Sequence, residues 1–159
     1  MGAKSEAIAK KFEGKAKEAL AALKKLSDED WKKITQGEKW SVAATAHHMA
    51  GSFDAVAGIA KALVSGNFRS DFTRAALDGM NAAHAKEHAS CSKAETVALF
   101  EKGWAGAAAF VRGLSDEQLA KTGTVFADLP PLSVEQLIHG GLIDHLEEHL
   151  GSIRKTVGG

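Results

Sequence analysis

The sequence contains no tyrosine, one cysteine and two prolines among its 159 residues. Without tyrosine, any mechanism that needs a phenol group beside the reactive centre is excluded. Cys91 cannot form a disulfide within the chain, which predicts a reducing, cytoplasmic location. The two prolines are adjacent, at positions 130 and 131, so the rest of the chain is free to form uninterrupted helices.

The chain also has no excess of positive or negative charge, because 20 basic and 20 acidic residues give a formal net charge of zero. Since phosphate binding needs concentrated positive charge, nucleic acid is excluded as the main partner. No apolar run approaches the roughly 18 residues of a membrane span, so we expect no membrane partner. Residues 1–17 are charged and periodic, unlike a signal peptide.

What is abundant is alanine in segments of helical periodicity, with serine at positions typical of helix starts. The pattern predicts four long helices, at residues 5–25, 41–67, 92–112 and 133–156. A weaker fifth helix is predicted within residues 71–86. Residues 122–132, which contain the prolines, are predicted to form a loop. We therefore expect an all-α, antiparallel four-helix bundle in a single domain spanning residues 1–159, with an extra short helical segment around residues 70–90.

His145 and His149 are the strongest functional signal in the chain. Residues four apart on a helix lie on one face, about 5–6 Å apart, so both imidazoles can hold one transition-metal ion. The apolar positions around them keep the helical period, which predicts that the pair faces inward. The letters also fit the H-x-x-E-H pattern of inverzincins, with Glu148 as the base. Only ten residues follow His149, so we do not expect that family's downstream ligand.

A third ligand must then come from upstream, and the second long helix offers His47 and His48. The apolar pattern favours His48 as the inward residue but leaves His47 open. His84 and His88 repeat the four-residue spacing in a polar segment, where we expect solvated side chains, residues at a pocket mouth, or a second metal site. His139 is predicted to be structural.

Cys91 and the three tryptophans carry weaker signals. We expect Cys91 to be an inert thiol, because no charged group is visible beside it. Trp31, Trp40 and Trp104 are predicted to be core anchors rather than a ligand cage.

Several motifs together resemble the DinB-like (DinB/YfiT) superfamily. Trp40-Ser41-Val42 followed by His48 is similar to that family's first motif, and residues 142–153 are similar to its C-terminal metal helix. The resemblance touches most of the chain. It implies a four-helix bundle that binds zinc or nickel through His48, His145 and His149, with the other metal positions held by water or substrate. Family members often form homodimers, although the sequence shows no interface signature.

The characterised relatives include bacillithiol-dependent thiol transferases and a mycothiol-dependent maleylpyruvate isomerase, and many others are presumed hydrolases. The resemblance therefore implies a metal-dependent enzyme that activates water or a low-molecular-weight thiol cosubstrate for attack on a small electrophile. Asp144, Glu148 and Asp54 are expected to orient the ligands or act as a base. The alternative is a non-catalytic metal-binding or small-ligand-binding bundle. A di-iron bundle is not expected, because paired Glu-x-x-His motifs are lacking.

Overall fold

The computed structural model describes residues 2–66 and 68–158, which form an all-α four-helix bundle, as predicted. The helices are α1 (Ala3–Lys25), α2 (Asp28–Lys32), α3 (Val42–Ser65), α4 (Arg74–Glu87), α5 (Lys93–Arg112), α6 (Asp116–Leu119), α7 (Val134–Ile138) and α8 (His145–Val157). A π-helical segment (His139–Asp144) joins α7 to α8. Within these described ranges, no helix is both long and apolar enough to cross a membrane.

Serine side chains start most of these helices. The hydroxyl of the residue before the helix accepts a hydrogen bond from a backbone N–H three residues on, which satisfies an otherwise unpaired donor. This holds for α2, α3, α5, α6 and α7, which follow Ser27, Ser41, Ser92, Ser115 and Ser133. At the other end of α3 the cap is Gly66, as expected. The second residue of the predicted stop, Asn67, lies outside the described residues.

The predicted loop at residues 122–132 contains a small addition to the all-α fold. Strand β1 (Thr122–Gly123) pairs antiparallel with β2 (Leu132–Ser133). This pairing closes the loop around the two prolines. It ends at Ser133, whose side chain caps the start of the C-terminal helical run.

Helix α3 is buried on several faces. Phe53 is fully buried in α3, while Val56 is only partly buried. The reason is the close approach of α5, where a Cβ on Gly103 would lie 2.9 Å from the Phe53 ring. Because α3 is covered on several sides, small and aromatic residues around its circumference enter the core.

The helix directions place the later parts of the chain beside the start of α3. Two long helices run each way, and α3 and α5 run in the same direction, because α4 carries the chain back along α3. Two contacts mark that return: Ser41 Oγ donates to Ala89 O at 2.7 Å, and Cys91 Sγ lies 3.4 Å from Ala43 O. As a result, the start of α3 faces the end of α4 on one side and the C-terminal helical run on another.

Candidate metal centre

Three histidines converge where α3 meets α8. His48 Nε2 lies 2.9 Å from His145 Nε2, which lies 3.1 Å from His149 Nε2. We call His48, His145 and His149 the first histidine cluster. Nitrogens bound to a tetrahedral zinc ion at about 2.0–2.1 Å lie about 3.3 Å apart, close to these separations. The cluster therefore fits a divalent transition metal in both donor type and spacing.

Burial keeps two rings of this cluster, His48 and His145, neutral. Burial, and then the neighbouring His149, lowers the pKa of His48 to about 4. Burial, and then His149 and His48, lowers the pKa of His145 to about 3. At neutral pH both imidazoles therefore carry a free lone pair, which is the form that binds a metal.

Glu38 supports the cluster from the loop before α3. Its Oε2 lies 3.3 Å from His149 Nδ1, and both side chains are largely buried. Burial would raise the pKa of Glu38, but the hydrogen bond with His149 lowers it, and the net pKa lies below its usual value. A charged Glu38 accepts a hydrogen bond from Nδ1–H of His149. This favours the tautomer in which the lone pair of Nε2 is free to bind a metal. This is the carboxylate–histidine arrangement found behind many metal ligands.

The loop that carries Glu38 is held in an unusual conformation. Lys39 has a φ of +66°, in the left-handed region that side chains other than glycine and asparagine rarely adopt. A Cβ on Gly37 would lie 3.0 Å from Ser152 Oγ, so the loop packs tightly on α8. Strain of this kind gathers at functional sites, and here it places Glu38 against His149.

Trp40 lies over the first histidine cluster. Its ring stands edge-on to His48, with the ring centroids 5.3 Å apart, and is stacked with His149 at 6.3 Å. The prediction for the tryptophans holds for Trp31, which is buried in the core. Trp40 instead covers one side of the histidine rings and restricts their rotation and their contact with water.

A close helix contact lies near the first histidine cluster. A Cβ on Gly141, in the π-helical segment, would lie 2.9 Å from Val56 Cγ2 on α3. Because α3 and the C-terminal run are antiparallel here, this contact lies about two turns along α3 from His48. The sequence predicted a continuous helix here, whereas the structure has a π-helical segment in which His145 N–H donates a hydrogen bond to Gly140 O. Its signal in the sequence is the glycine pair at 140–141.

The carboxylates singled out in the sequence lie elsewhere. Asp144, Glu148 and Asp54 are all exposed, on the outer faces of their helices. The carboxylate in contact with the cluster is Glu38, which sequence reasoning missed. Its signal is weak, because Glu38 lies in a polar loop 111 residues before His149 and no local spacing rule connects the two.

Three further histidines form a second group beside the first. His47, His84 and His88 each offer a ring nitrogen, and these atoms lie within 4.8 Å of one another. We call these residues the second histidine cluster. His48 faces the C-terminal run and His47 faces α4, which resolves the choice between them for the first cluster. His139 belongs to neither cluster, and Cys91 is half-buried with its Sγ 3.4 Å from Thr96 Oγ1.

Comparison with known proteins gives one family and one fold. The family model described as the DinB superfamily matches residues 11–153. Among solved structures, YfiT from Bacillus subtilis superposes with a TM-score of 0.76 at 15% sequence identity, covering 99% of this chain and 90% of that one. That protein is described as a probable metal-dependent hydrolase with an unusual four-helix bundle topology. None of the curated proteins matches the sequence significantly.

Proposed function

Because the chain belongs to the DinB superfamily, we propose that it is a divalent-metal-dependent enzyme whose ligands are His48, His145 and His149. The observation that carries this proposal is the convergence of three ring nitrogens, 2.9 and 3.1 Å apart, from two helices. Imidazole donors suit zinc and nickel, and either metal fits the proposal. Three protein ligands leave a position open for a reactant, as in catalytic rather than structural sites.

The reaction we propose is hydrolysis of a small substrate or transfer of a low-molecular-weight thiol to a small electrophile. A metal held by His48, His145 and His149 would supply the activation of a nucleophile, because it would lower the pKa of water or a thiol towards neutrality. Around it, Glu38 holds His149 in one tautomer and one orientation. Trp40 shields one face of the rings, which leaves the approach of substrate to the other faces of the cluster. Asp144 and Glu148, which neighbour the ligands in sequence but are exposed on the outer face of the helix, are proposed only as acceptors that pass protons to solvent.

The second candidate function is a metal-binding or small-ligand-binding bundle without catalysis. It is favoured by the exposure of Asp144 and Glu148, because neither carboxylate is fixed in place as a general base usually is. In either case we propose a small-molecule partner, a cytoplasmic location and, from the family resemblance, a homodimer.

One experiment tests both candidates. The protein is purified without a histidine tag, and its metal content and activity are compared with those of His145→Ala. Thiol conjugation is assayed with bacillithiol, mycothiol and glutathione, and hydrolysis with ester and amide panels. We expect turnover that needs zinc or nickel and falls at least a hundredfold in His145→Ala. His139→Ala, which removes a histidine outside both clusters, should keep full activity.

The outcomes separate the two functions. Metal binding lost in His145→Ala, with no metal-dependent turnover on any substrate, would favour the binding bundle. A wild-type protein that takes up less than a tenth of an equivalent of either metal would contradict both.

A further inference from the structure

Helix α4 rests on α3 through polar rather than apolar side chains. Its sole buried residue among those described is Ala85, and it contains Gly79, which weakens a helix by about 1 kcal/mol relative to alanine. The partly buried positions on the same face include His84 and, at the end of the helix, His88. Apolar burial therefore contributes little to holding α4, and its histidines meet His47 of α3 instead.

The three rings of the second histidine cluster are closely packed. His47 Nδ1 lies 2.9 Å from His84 Nε2. The rings of His47 and His88 are stacked, with centroids 3.8 Å apart and planes at 11°, and those of His84 and His88 lie 4.3 Å apart. Such a gathering of three imidazoles from two elements repeats the donor set of the first cluster.

Hydrogen bonding alone leaves this cluster incomplete. His84 Nδ1 is buried and has no hydrogen-bond partner among the described residues. Three imidazoles gathered this closely can share one cation through their ring nitrogens.

We propose that His47, His84 and His88 bind a second divalent transition-metal ion, which fastens α4 to α3 beside the first site. The ligand class is the zinc-like ions that imidazole prefers. A metal bond lies in the plane of its ring, so the stacked His47 and His88 rings must tilt apart on binding. His88 can do so, because it caps the end of α4 and rotation about the bond to a histidine ring is soft.

Metal stoichiometry tests this proposal directly. Untagged protein is stripped with a chelator and titrated with Zn²⁺ against a chromophoric competitor. We expect two equivalents in the wild type, the second bound about tenfold or more weakly, because no carboxylate among the described residues is hydrogen-bonded to the second cluster as Glu38 is to His149. His84→Ala should bind one equivalent at the wild-type affinity of the first site, and His139→Ala, the matched control, should still bind two.

A second measurement keeps the proposal falsifiable if one variant folds poorly. In His145→Ala, adding Zn²⁺ should slow amide hydrogen exchange in α4 at least tenfold, and the further change His88→Gln should abolish the effect. Two equivalents retained in His84→Ala, or α4 exchange unaffected by Zn²⁺, would overturn the second site.

The outcome is independent of the function proposed for the first cluster. A wild type with one equivalent that disappears in His145→Ala overturns only the second site. One equivalent that disappears in His84→Ala and persists in His145→Ala supports the second site and contradicts the first.

Discussion

The two histidine clusters use the same side chains on different supports. The first is built on two long helices, α3 and the C-terminal run, whose apolar faces form the core. The second joins α3 to α4, which has one buried residue. In the first cluster Glu38 fixes a ring and Trp40 covers one side. In the second, the rings contact mainly one another.

Under the proposed function, this difference would separate a reactive site from a structural one. Rings held in place before the metal arrives, by a buried carboxylate and a packed helix contact, are preorganised, so little ordering is needed on binding. Rings on a weakly packed helix gain their order from the metal, and binding then acts mainly on the stability of that helix. The predictions below test this contrast.

The largest expected effect is on the acid stability of metal-free protein. Well above about pH 6.5, His48 and His145 are neutral in both the folded and the unfolded chain and contribute no pH dependence. Below that pH the histidines of the unfolded chain take up protons. In the folded protein His145, with a pKa of about 3, stays neutral. Stability should therefore fall between pH 7 and pH 4, by on the order of 3 kcal/mol for His145 alone. Urea unfolding at a series of pH values measures this.

Matched variants compare the two histidine clusters in this measurement. His145→Gln should flatten the dependence of unfolding free energy on pH more than His84→Gln does, because His84 is less buried. An equal or larger effect of His84→Gln would contradict the assignment of the first cluster as the more desolvated one.

A smaller effect is expected from the carboxylate behind His149. Glu38→Gln keeps the shape of the side chain and removes its charge, so affinity for Zn²⁺ should fall about 10- to 100-fold. Glu148→Gln, an exposed carboxylate on the ligand helix, is the matched control and should change affinity less than twofold. Competition titration measures both. If Glu148→Gln weakens binding more than Glu38→Gln, the role given to Glu38 is wrong.

The smallest effect is expected at the helix contact near the first cluster. Gly141→Ala introduces a Cβ 2.9 Å from Val56 Cγ2, so the helices must separate. Overpacking and the better helix propensity of alanine act in opposite directions, and the net loss of stability should be about 1 kcal/mol. Metal affinity should fall with it, because His48 and His145 move apart. Thermal unfolding and Zn²⁺ titration measure the two effects.

The neighbouring glycine provides the control. A Cβ on Gly140 meets nothing within 4 Å, so Gly140→Ala should be neutral or stabilising. Adding Val56→Ala to Gly141→Ala should restore metal affinity. A Gly141→Ala protein that binds metal like the wild type would show that this contact does not set the spacing.

Periodicity and capping were enough to predict the architecture from sequence. Four apolar patterns, three of them preceded by a capping serine, predicted the long helical runs to within about two residues, because each signal is local; the π-helical interruption of the last one was not predicted. The histidines of the first cluster were also predicted, two from their spacing and His48 with the help of the family resemblance. The all-α bundle itself is confirmed.

What could not be predicted depends on contacts between distant parts of the chain. Glu38 reaches His149 only because a strained loop packs on α8, and Phe53 is buried only because Gly103 lets α5 approach. His47 meets His84 only because α4 returns the chain along α3. None of these contacts leaves a periodic pattern in the sequence.

The most direct test of the account is a crystal structure of zinc-loaded protein, recorded with anomalous scattering at the zinc edge. We expect the strongest anomalous peak about 2.0–2.1 Å from Nε2 of His48, His145 and His149, with Glu38 still hydrogen-bonded to His149 Nδ1. A strongest peak bound elsewhere, with those three rings free of metal, would contradict the account.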